Sequence, residues 1–195
     1  MDHHPFFAYL SRMRYINRWG LMRNTFQENI QEHSHMVAVL SHALAVIRRD
    51  VFGREADPGL AAMAALYHDA TEILTGDLPT PIKYYDPEIR DAYKKVEEFS
   101  AGKLLAMLPD QLRPAFSPLL REDYDADTKA LVKAADKLSA HIKCLEELKA
   151  GNSEFQQAAR QTLEALKSYN LPEVDYFLEH FLPAFGMTLD EMGRE

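Results

Sequence analysis

Residues 60–75 read LAAMAALYHDATEILT, and this stretch decides both the fold and the chemistry expected of the chain. Its apolar spacing predicts an amphipathic helix. Near the end of that helix His68 and Asp69 are adjacent, and Glu72 follows four residues after the histidine. In a regular helix Asp69 lies about 100° round from His68, whereas Glu72 returns to nearly the same side. An imidazole and a carboxylate so placed can share one divalent cation and leave the glutamate to manage a water.

Helical periodicity extends outward from this stretch in both directions. It predicts further helices over residues 6–16, from near 33 to about 50, over 87–108 and 127–149, and from 153 to about 169, with a last apolar segment beginning at 171. Prolines exclude a helix over 77–81 and interrupt the chain at Pro109, Pro114 and Pro118. No segment alternates as a strand does. We therefore expect an all-α fold with one core.

Composition limits the class of protein. A chain of 195 residues is long enough for one domain with a sizeable core. The net charge of −8 argues against a nucleic-acid polymer as partner, but it allows a small anionic substrate. The single cysteine, Cys144, fits a reducing compartment. Neither a secretory signal nor an apolar run of about 18 residues is present, so we expect a cytoplasmic protein without a membrane span.

Two residues elsewhere in the chain qualify as partners of the doublet. His33 begins an apolar stripe, whereas His35 and His42 are predicted to face solvent. The stripe comprises Met36, Val37, Leu40, Leu44 and Ile47. An inward histidine is often only a hydrogen-bonded core residue, and this is the better interpretation of His33 alone. Asp136 lies at the border of a second stripe, where alone it would be expected to pair with Lys133 or Lys137 or to be exposed.

The four residues together favour a metal site. His33, His68, Asp69 and Asp136 supply two imidazoles and two carboxylates from three predicted helices. Such a set suits manganese, iron, cobalt, nickel or zinc better than calcium or magnesium.

The order of these residues resembles the HD-domain superfamily of metal-dependent phosphohydrolases. Neighbouring segments narrow the resemblance to the bacterial 5′-deoxynucleotidases of the YfbR type, from Phe6 to the tail at 187–191. The matching segments are NRW (17–19), LMRN (21–24), EN (28–29), EHS (32–34), YHDATE (67–72), LTGDLPTP (74–81), KAADKL (133–138) and KCLEEL (143–148).

The resemblance implies a single HD-type helical domain over residues 1–195, with the metal site between helices. It implies a homodimer that hydrolyses deoxyribonucleoside 5′-monophosphates with one divalent ion per chain: cobalt, manganese, or another such as nickel, iron, zinc or copper. The implied metal ligands are the four residues above, and Glu72 and Arg18 are the implied catalytic residues. The implied substrate contacts are Arg18, Trp19, Asp69, Asp77, Leu78, Pro79, Thr80 and Asp136. No histidine lies between Asp69 and Asp136, whereas two-metal members of the superfamily generally insert extra ones, so one ion is favoured.

Two alternatives stay open from the sequence. Another HD phosphohydrolase, acting on nucleoside triphosphates or alarmones, would be expected to need more basic residues than Arg18, Arg23 and Lys83 near the motifs. A non-catalytic helical module with a structural metal would not need the spare carboxylate of Glu72.

Overall fold

The chain folds into helices, as predicted. The computed structural model describes residues 3–79 and 86–193, and within these ranges it contains no strand, only one isolated bridge between Asn17 and Asn29. The helices are α1 (Phe6–Leu10), α2 (Ile30–Val46), α3 (Pro58–Tyr67), α4 (Glu72–Thr75), α5 (Pro87–Ala106), α6 (Arg113–Leu120), α7 (Ala126–Lys149), α8 (Gln156–Ser168), α9 (Pro172–His180) and α10 (Leu189–Met192). Ser11–Tyr15, Ser153–Phe155 and Leu182–Gly186 form 3₁₀ turns, and Ile47–Val51 forms a π turn.

Short polar side chains fix where several of these helices begin. Asn29 accepts hydrogen bonds from the first turn of α2, and Asp57, Asp86 and Asp125 do the same for α3, α5 and α7. Such caps satisfy backbone N–H groups that have no partner inside the helix. They explain why the long helices begin close to the positions that periodicity predicts.

The predicted continuous helix over residues 60–75 is wrong. Helix α3 ends at Tyr67 and α4 begins at Glu72, while the backbone between them closes tighter i→i+3 hydrogen bonds, such as that from the Glu72 amide to the Asp69 carbonyl at 3.0 Å. A regular helix separates neighbouring side chains by about 100°. The regular helix ends at this doublet. Its tighter turn lets the adjacent side chains of His68 and Asp69 approach the same group of ligand candidates.

Two smaller predictions also need correction. The proline-interrupted stretch between α5 and α7 contains a helix, α6, in which Pro114 lies in the first turn and Pro118 lies inside. Proline is tolerated in a first turn because its missing N–H would have no helical partner there. Met36 was expected to face inward, but 37% of it is exposed, since the helix face that packs is narrower than the apolar stripe.

The main core lies where α2 packs against α3 and α7. The contact surfaces of α3 and α7 are rich in alanine, and Ala61, Ala64, Ala65, Ala134 and Ala135 are all fully buried. Small side chains let helix backbones approach closely. The close approach brings three positions to one place: the start of α2, the end of α3 and the middle of α7.

A buried ion pair fastens the loop over residues 17–29 to α7. Glu147 and Lys143, one helical turn apart, are almost wholly inaccessible to solvent. The Glu147 carboxylate accepts a hydrogen bond from the Thr25 amide at 2.9 Å, and the Lys143 ammonium donates one to the Phe26 carbonyl at 2.6 Å. The loop, which contains the NRW segment, is thus held by charged groups of a long helix.

Replacing the carboxylate should therefore destabilise the protein. Burial opposes the ionisation of Glu147, but the hydrogen bonds from Lys143, Asn152 and Thr25 outweigh it and lower its pKa to about 2. We expect Glu147→Gln to reduce the free energy of unfolding at pH 7 by about 3–5 kcal/mol, the usual cost of breaking a buried pair. Because the folded pKa lies below the unfolded value of about 4.3, the contribution is complete above that pH and is lost as pH falls toward 2.

Urea unfolding monitored by circular dichroism at several pH values measures both effects. Glu146→Gln is the matched control, since Glu146 is the exposed neighbour on the same helix; it should change stability by no more than about 0.5 kcal/mol. Equal effects of the two substitutions at pH 7 would show that the pair does not fasten the loop.

Candidate metal centre and active site

His33 lies at the start of α2 with no exposure to solvent. Its Nε2 atom is 3.0 Å from Oδ1 of Asp136 on α7, and its Nδ1 atom is 3.2 Å from the hydroxyl oxygen of Ser139, one turn further along that helix. His35 and His42 are exposed, as predicted. With Nδ1–H donating to Ser139, the Nε2 lone pair of His33 is free to bind a cation. Ser139 thus orients the ring.

His68 presents its ring in the same way. Its Nδ1 atom lies 2.7 Å from the Ala65 carbonyl oxygen, to which it donates, so that Nε2 faces the other ligand candidates. This Nε2 atom is buried and has no aligned hydrogen bond within residues 3–79 and 86–193. Oδ2 of Asp69 lies 3.2 Å from it. A buried imidazole nitrogen without an aligned hydrogen bond is typical of a metal ligand.

The ligand atoms converge on one point. One atom each from His33, His68 and Asp136 lie within 4.8 Å of one another. Oδ2 of Asp69 is 3.7 Å from Nε2 of His33. Ligand–metal distances of about 2.0–2.2 Å place ligand atoms about 3–4 Å apart. His33, His68 and Asp136 are therefore close enough to hold one metal ion with small shifts of their side chains, and Asp69 lies beside them.

Burial and charge together set the protonation of these groups. Burial and the nearby Arg18 charge lower the pKa of His33, which keeps that imidazole neutral as a ligand must be. Burial disfavours ionised Asp69 and Asp136, but the histidines and Arg18 outweigh it and hold the pKa of both carboxyls well below the usual range. Burial likewise opposes charge on His68, yet the Asp69 and Asp136 carboxylates raise its pKa to about 9, so a bound cation would take the place of a proton on this imidazole. The potential at the cluster thus favours a cation.

Arg18 lies beside the cluster and is only 14% exposed. Its Nη1 atom is 3.4 Å from Oδ2 of Asp69, and its Nη2 atom is 4.0 Å from Oδ1 of Asp136. Burial lowers its pKa, but these carboxylates and Glu28 together raise it above the ordinary arginine value. A permanent positive charge with several N–H donors therefore sits next to the candidate metal ligands.

Trp19 adopts an unusual backbone conformation, with φ of 58°. Such left-handed values are uncommon for residues other than glycine and persist only where several contacts enforce them. Its indole Nε1 atom donates to Oε2 of Glu28 at 3.1 Å, and its ring packs on Phe155 with centroids 5.3 Å apart. Trp19 is therefore both a core contact and a neighbour of Arg18.

Of the remaining predicted residues, Glu72 and Asp77 lie near the cluster. Glu72 is buried at the start of α4 and lines the same cavity as His68, Asp69 and Asp136. The Asp77 charge reaches the guanidinium of Arg18 and contributes to its raised pKa. Leu78 and Pro79 follow as half-buried residues, and Thr80 lies outside the described residues.

The structure adds cavity residues that sequence analysis did not identify. Lys129 and Lys133 line the cavity on the same helix as Asp136, seven and three residues before it, and Glu97 and Glu122 face them. Helical spacing back from Asp136 is the signal that points to the two lysines. Glu97 and Glu122 carry no such signal, because they come from other parts of the chain.

The helical fold and a partly buried two-histidine, two-carboxylate cluster beside an arginine define a phosphohydrolase of the HD-domain class, a class that depends on a divalent metal. An HD-domain phosphohydrolase from Listeria innocua has the same fold, with a TM-score of 0.82 and 25% sequence identity over 93% of this chain and 88% of that one. A cyanophage S-2L HD phosphohydrolase, DatZ, bound to dA and one catalytic Zn²⁺ ion, shares the fold at 22% identity and a TM-score of 0.63 over 90% of this chain and 95% of that one.

The chain belongs to the YfbR-like 5′-deoxynucleotidase family, whose model matches residues 5–185. A 5′-deoxynucleotidase of Erwinia tasmaniensis is 49% identical over 196 aligned positions, which cover 100% of this chain and 99% of the relative. The predicted family, fold class and hydrolase activity are confirmed. Among the described helices, none is long and apolar enough to cross a membrane.

The metal cluster predicts a defined stoichiometry. We expect one divalent ion per chain, because the ligand atoms converge on one point, and we expect His33→Ala to abolish binding. Metal analysis after dialysis and thermal unfolding with added Mn²⁺ or Co²⁺ measure this, since an ion at 100 times its Kd stabilises the fold by about 2.7 kcal/mol. His42→Ala, an exposed histidine on the same helix, is the matched control. Two ions per chain at saturation, or unchanged binding by His33→Ala, would contradict the assignment.

Proposed function

We propose that the protein hydrolyses deoxyribonucleoside 5′-monophosphates to deoxynucleoside and phosphate, with selectivity for deoxyribose and breadth for the base. The observation that carries this proposal is the position of Arg18, whose guanidinium lies against the candidate metal ligands Asp69 and Asp136. A phosphate group that reaches the cluster meets this guanidinium at once. Membership of the YfbR-like family supports the choice of a deoxynucleotide.

His33, His68, Asp69 and Asp136 would hold the ion. Manganese and cobalt suit this mixed set of nitrogen and oxygen donors, as do nickel, iron, zinc and copper. The ion supplies Lewis-acid polarisation of the phosphate and a lowered pKa of water. The orientation of both imidazoles, through Ser139 and the Ala65 carbonyl, is already set by the protein.

The protein groups account for the rest of the reaction. The planar guanidinium of Arg18 binds two phosphate oxygens and offsets the negative charge that grows in the transition state. Glu72 takes a proton from the attacking water while the oxygen of that water forms a bond to phosphorus. The bond from phosphorus to the 5′-oxygen breaks, that oxygen takes up a proton from solvent to become the nucleoside hydroxyl, and Glu72 returns its proton to solvent. Burial of Glu72 keeps its carboxylate out of bulk water, near the reacting atoms.

The sugar would lie beside Trp19 and Asp77. Asp77 is close enough for its charge to act on Arg18, and Trp19 follows Arg18 directly in a constrained backbone. A tightly held sugar leaves a 2′-hydroxyl crowded and without a partner. Leu78 and Pro79 would continue this wall.

The cavity does not favour substrates with more phosphates. Five carboxylates line it, from Asp69, Glu72, Glu97, Glu122 and Asp136, against two lysines. Arg23, which the triphosphate alternative would need, points away and pairs with Glu154 at 2.8 Å while 93% exposed. One phosphate beside one arginine is the better match to these charges.

We also propose a cytoplasmic homodimer, as the family resemblance implies. Val96 and Phe99 on α5 are exposed apolar side chains that a second copy would cover. Light scattering on the purified protein decides the matter, since a dimer has twice the mass of the 22.3 kDa chain.

Glu72 provides the sharpest test of the reaction. We expect Glu72→Ala and Glu72→Gln to lower kcat by about 10²–10⁴-fold, because neither replacement accepts a proton. Metal content and the binding of deoxynucleotide should remain, as measured by metal analysis and calorimetry. Loss of the ion from both variants would show that Glu72 is a ligand and not a base.

Selectivity should divide the other residues into two groups. We expect Arg18→Ala to depress kcat/KM for a matched deoxy- and ribonucleotide pair alike, because both carry the same phosphate. Trp19→Ala and Asp77→Ala should narrow the ratio between the pair, since they open the sugar wall. Phosphate release from dAMP and AMP measures the ratio. If it is unchanged in both sugar-wall variants, selectivity comes from elsewhere.

A further inference from the structure

Glu28 contacts two of the proposed substrate-binding residues, Arg18 and Trp19. We propose that Glu28 is a positioning residue: its carboxylate orients the Arg18 guanidinium toward the phosphate and the Trp19 indole toward the sugar. This inference rests on the proposed function for the roles of Arg18 and Trp19, but not for their geometry.

The contacts meet at a single atom. Oε2 of Glu28 accepts from Nε of Arg18 at 3.2 Å and from Nε1 of Trp19 at 3.1 Å. The Glu28 and Arg18 side chains are only 13% and 14% exposed. Hydrogen bonds to an ionised group that is shielded from water are the strong ones. Two adjacent side chains are therefore fixed through one shared acceptor.

The hydrogen bond from Nε of Arg18 to Glu28 leaves the two terminal nitrogens of the guanidinium available for a phosphate. A guanidinium has five N–H donors, one on Nε and two on each terminal nitrogen. Glu28 occupies Nε, whereas Nη1 and Nη2 point toward Asp69 and Asp136. The terminal donors, which bind a phosphate bidentately, are thus aimed at the metal cluster by a contact on the other edge of the group.

The backbone holds Glu28 opposite Arg18. The Arg18 amide donates to the Glu28 carbonyl at 2.9 Å, and Asn17 and Asn29 form the adjacent bridge. The two ends of the loop therefore pair before α2 begins. This pairing places the Glu28 side chain beside Arg18 independently of the carboxylate, so that changing the carboxylate leaves the backbone in place. Oε1 of Glu28 also lies 3.9 Å from Nδ1 of His33, so the metal content of each variant is measured together with its kinetics.

The unusual backbone of Trp19 gives the contact a second role. At φ of 58° the residue departs from the conformations that its side chain ordinarily favours. The indole N–H donates a hydrogen bond to Glu28, and the indole ring packs against Phe155. Loss of the acceptor should release the indole from its fixed orientation while the ring contact remains.

The first experiment reads the position of Trp19 directly. Trp19 is the only tryptophan of the chain, so its fluorescence and near-ultraviolet circular dichroism report this one side chain. In the metal-loaded full-length protein we expect Glu28→Ala to shift the emission to longer wavelength and to weaken the near-ultraviolet signal. Glu28→Gln, which keeps one acceptor, should restore part of both. If Glu28→Ala folds poorly, Glu28→Gln carries both the spectroscopic and the kinetic measurements.

Glu32→Gln is the matched control, since Glu32 is exposed in the first turn of α2. It should leave the spectra unchanged. Far-ultraviolet circular dichroism and metal content should be equal in control and variant. Identical tryptophan spectra in Glu28→Ala and the control would overturn the positioning role, whether or not the protein hydrolyses deoxynucleotides.

The second experiment asks whether Glu28 acts through Arg18. We expect Glu28→Ala to lower kcat/KM for a deoxynucleoside monophosphate by about 10–100-fold, the factor that corresponds to a lost hydrogen bond to a charged group. In an Arg18→Ala background the same change should have little further effect, because the group that it orients is gone. Full additivity of the two substitutions would overturn the proposal. A wild-type protein that releases no phosphate from any deoxynucleotide would refute the proposed function and leave the spectroscopic result standing.

Discussion

The structure depends on the pairing of ionisable side chains that are wholly or partly shielded from water. His33, His68, Asp69 and Asp136 come from α2, the end of α3, the turn after it and α7, and their side chains meet within a few ångströms. A buried carboxylate is costly unless it is paired or coordinated. Each of these helices therefore stabilises the charges of the others, and the site is also the junction of the core. The buried alanines of α3 and α7 allow the close packing that lets these side chains meet.

The loop over residues 17–29 is the least regular part of the site and the most heavily fastened. Glu147 and Lys143 hold its middle, and Glu28 holds its beginning through Arg18 and Trp19. A binding side chain on a loop is positioned accurately only if neighbouring residues fix its conformation. Here the neighbours are charged groups buried on a long helix and on the loop itself.

The balance of charge gives the site its chemical character. The cavity is lined by more carboxylates than lysines, while Arg18 lies beside the cluster with its pKa raised above the ordinary value. We therefore expect an anionic substrate to bind between the arginine and the cation that the proposed ligands would hold. This arrangement selects a small phosphate ester better than a long polyanion, in agreement with the acidic composition of the whole chain.

The sequence by itself determined the all-α fold, most helix ends and the four candidate ligands, because apolar spacing, capping residues and an HD doublet are local signals. It did not predict the break between Tyr67 and Glu72, the inward-facing Ser139, the cavity lysines or the role proposed for Glu28. Those features arise from contacts between segments that are far apart in the chain. Only the packing of α2, α3 and α7 brings the charges together, and the local backbone then departs from a regular helix so that adjacent side chains can share one point.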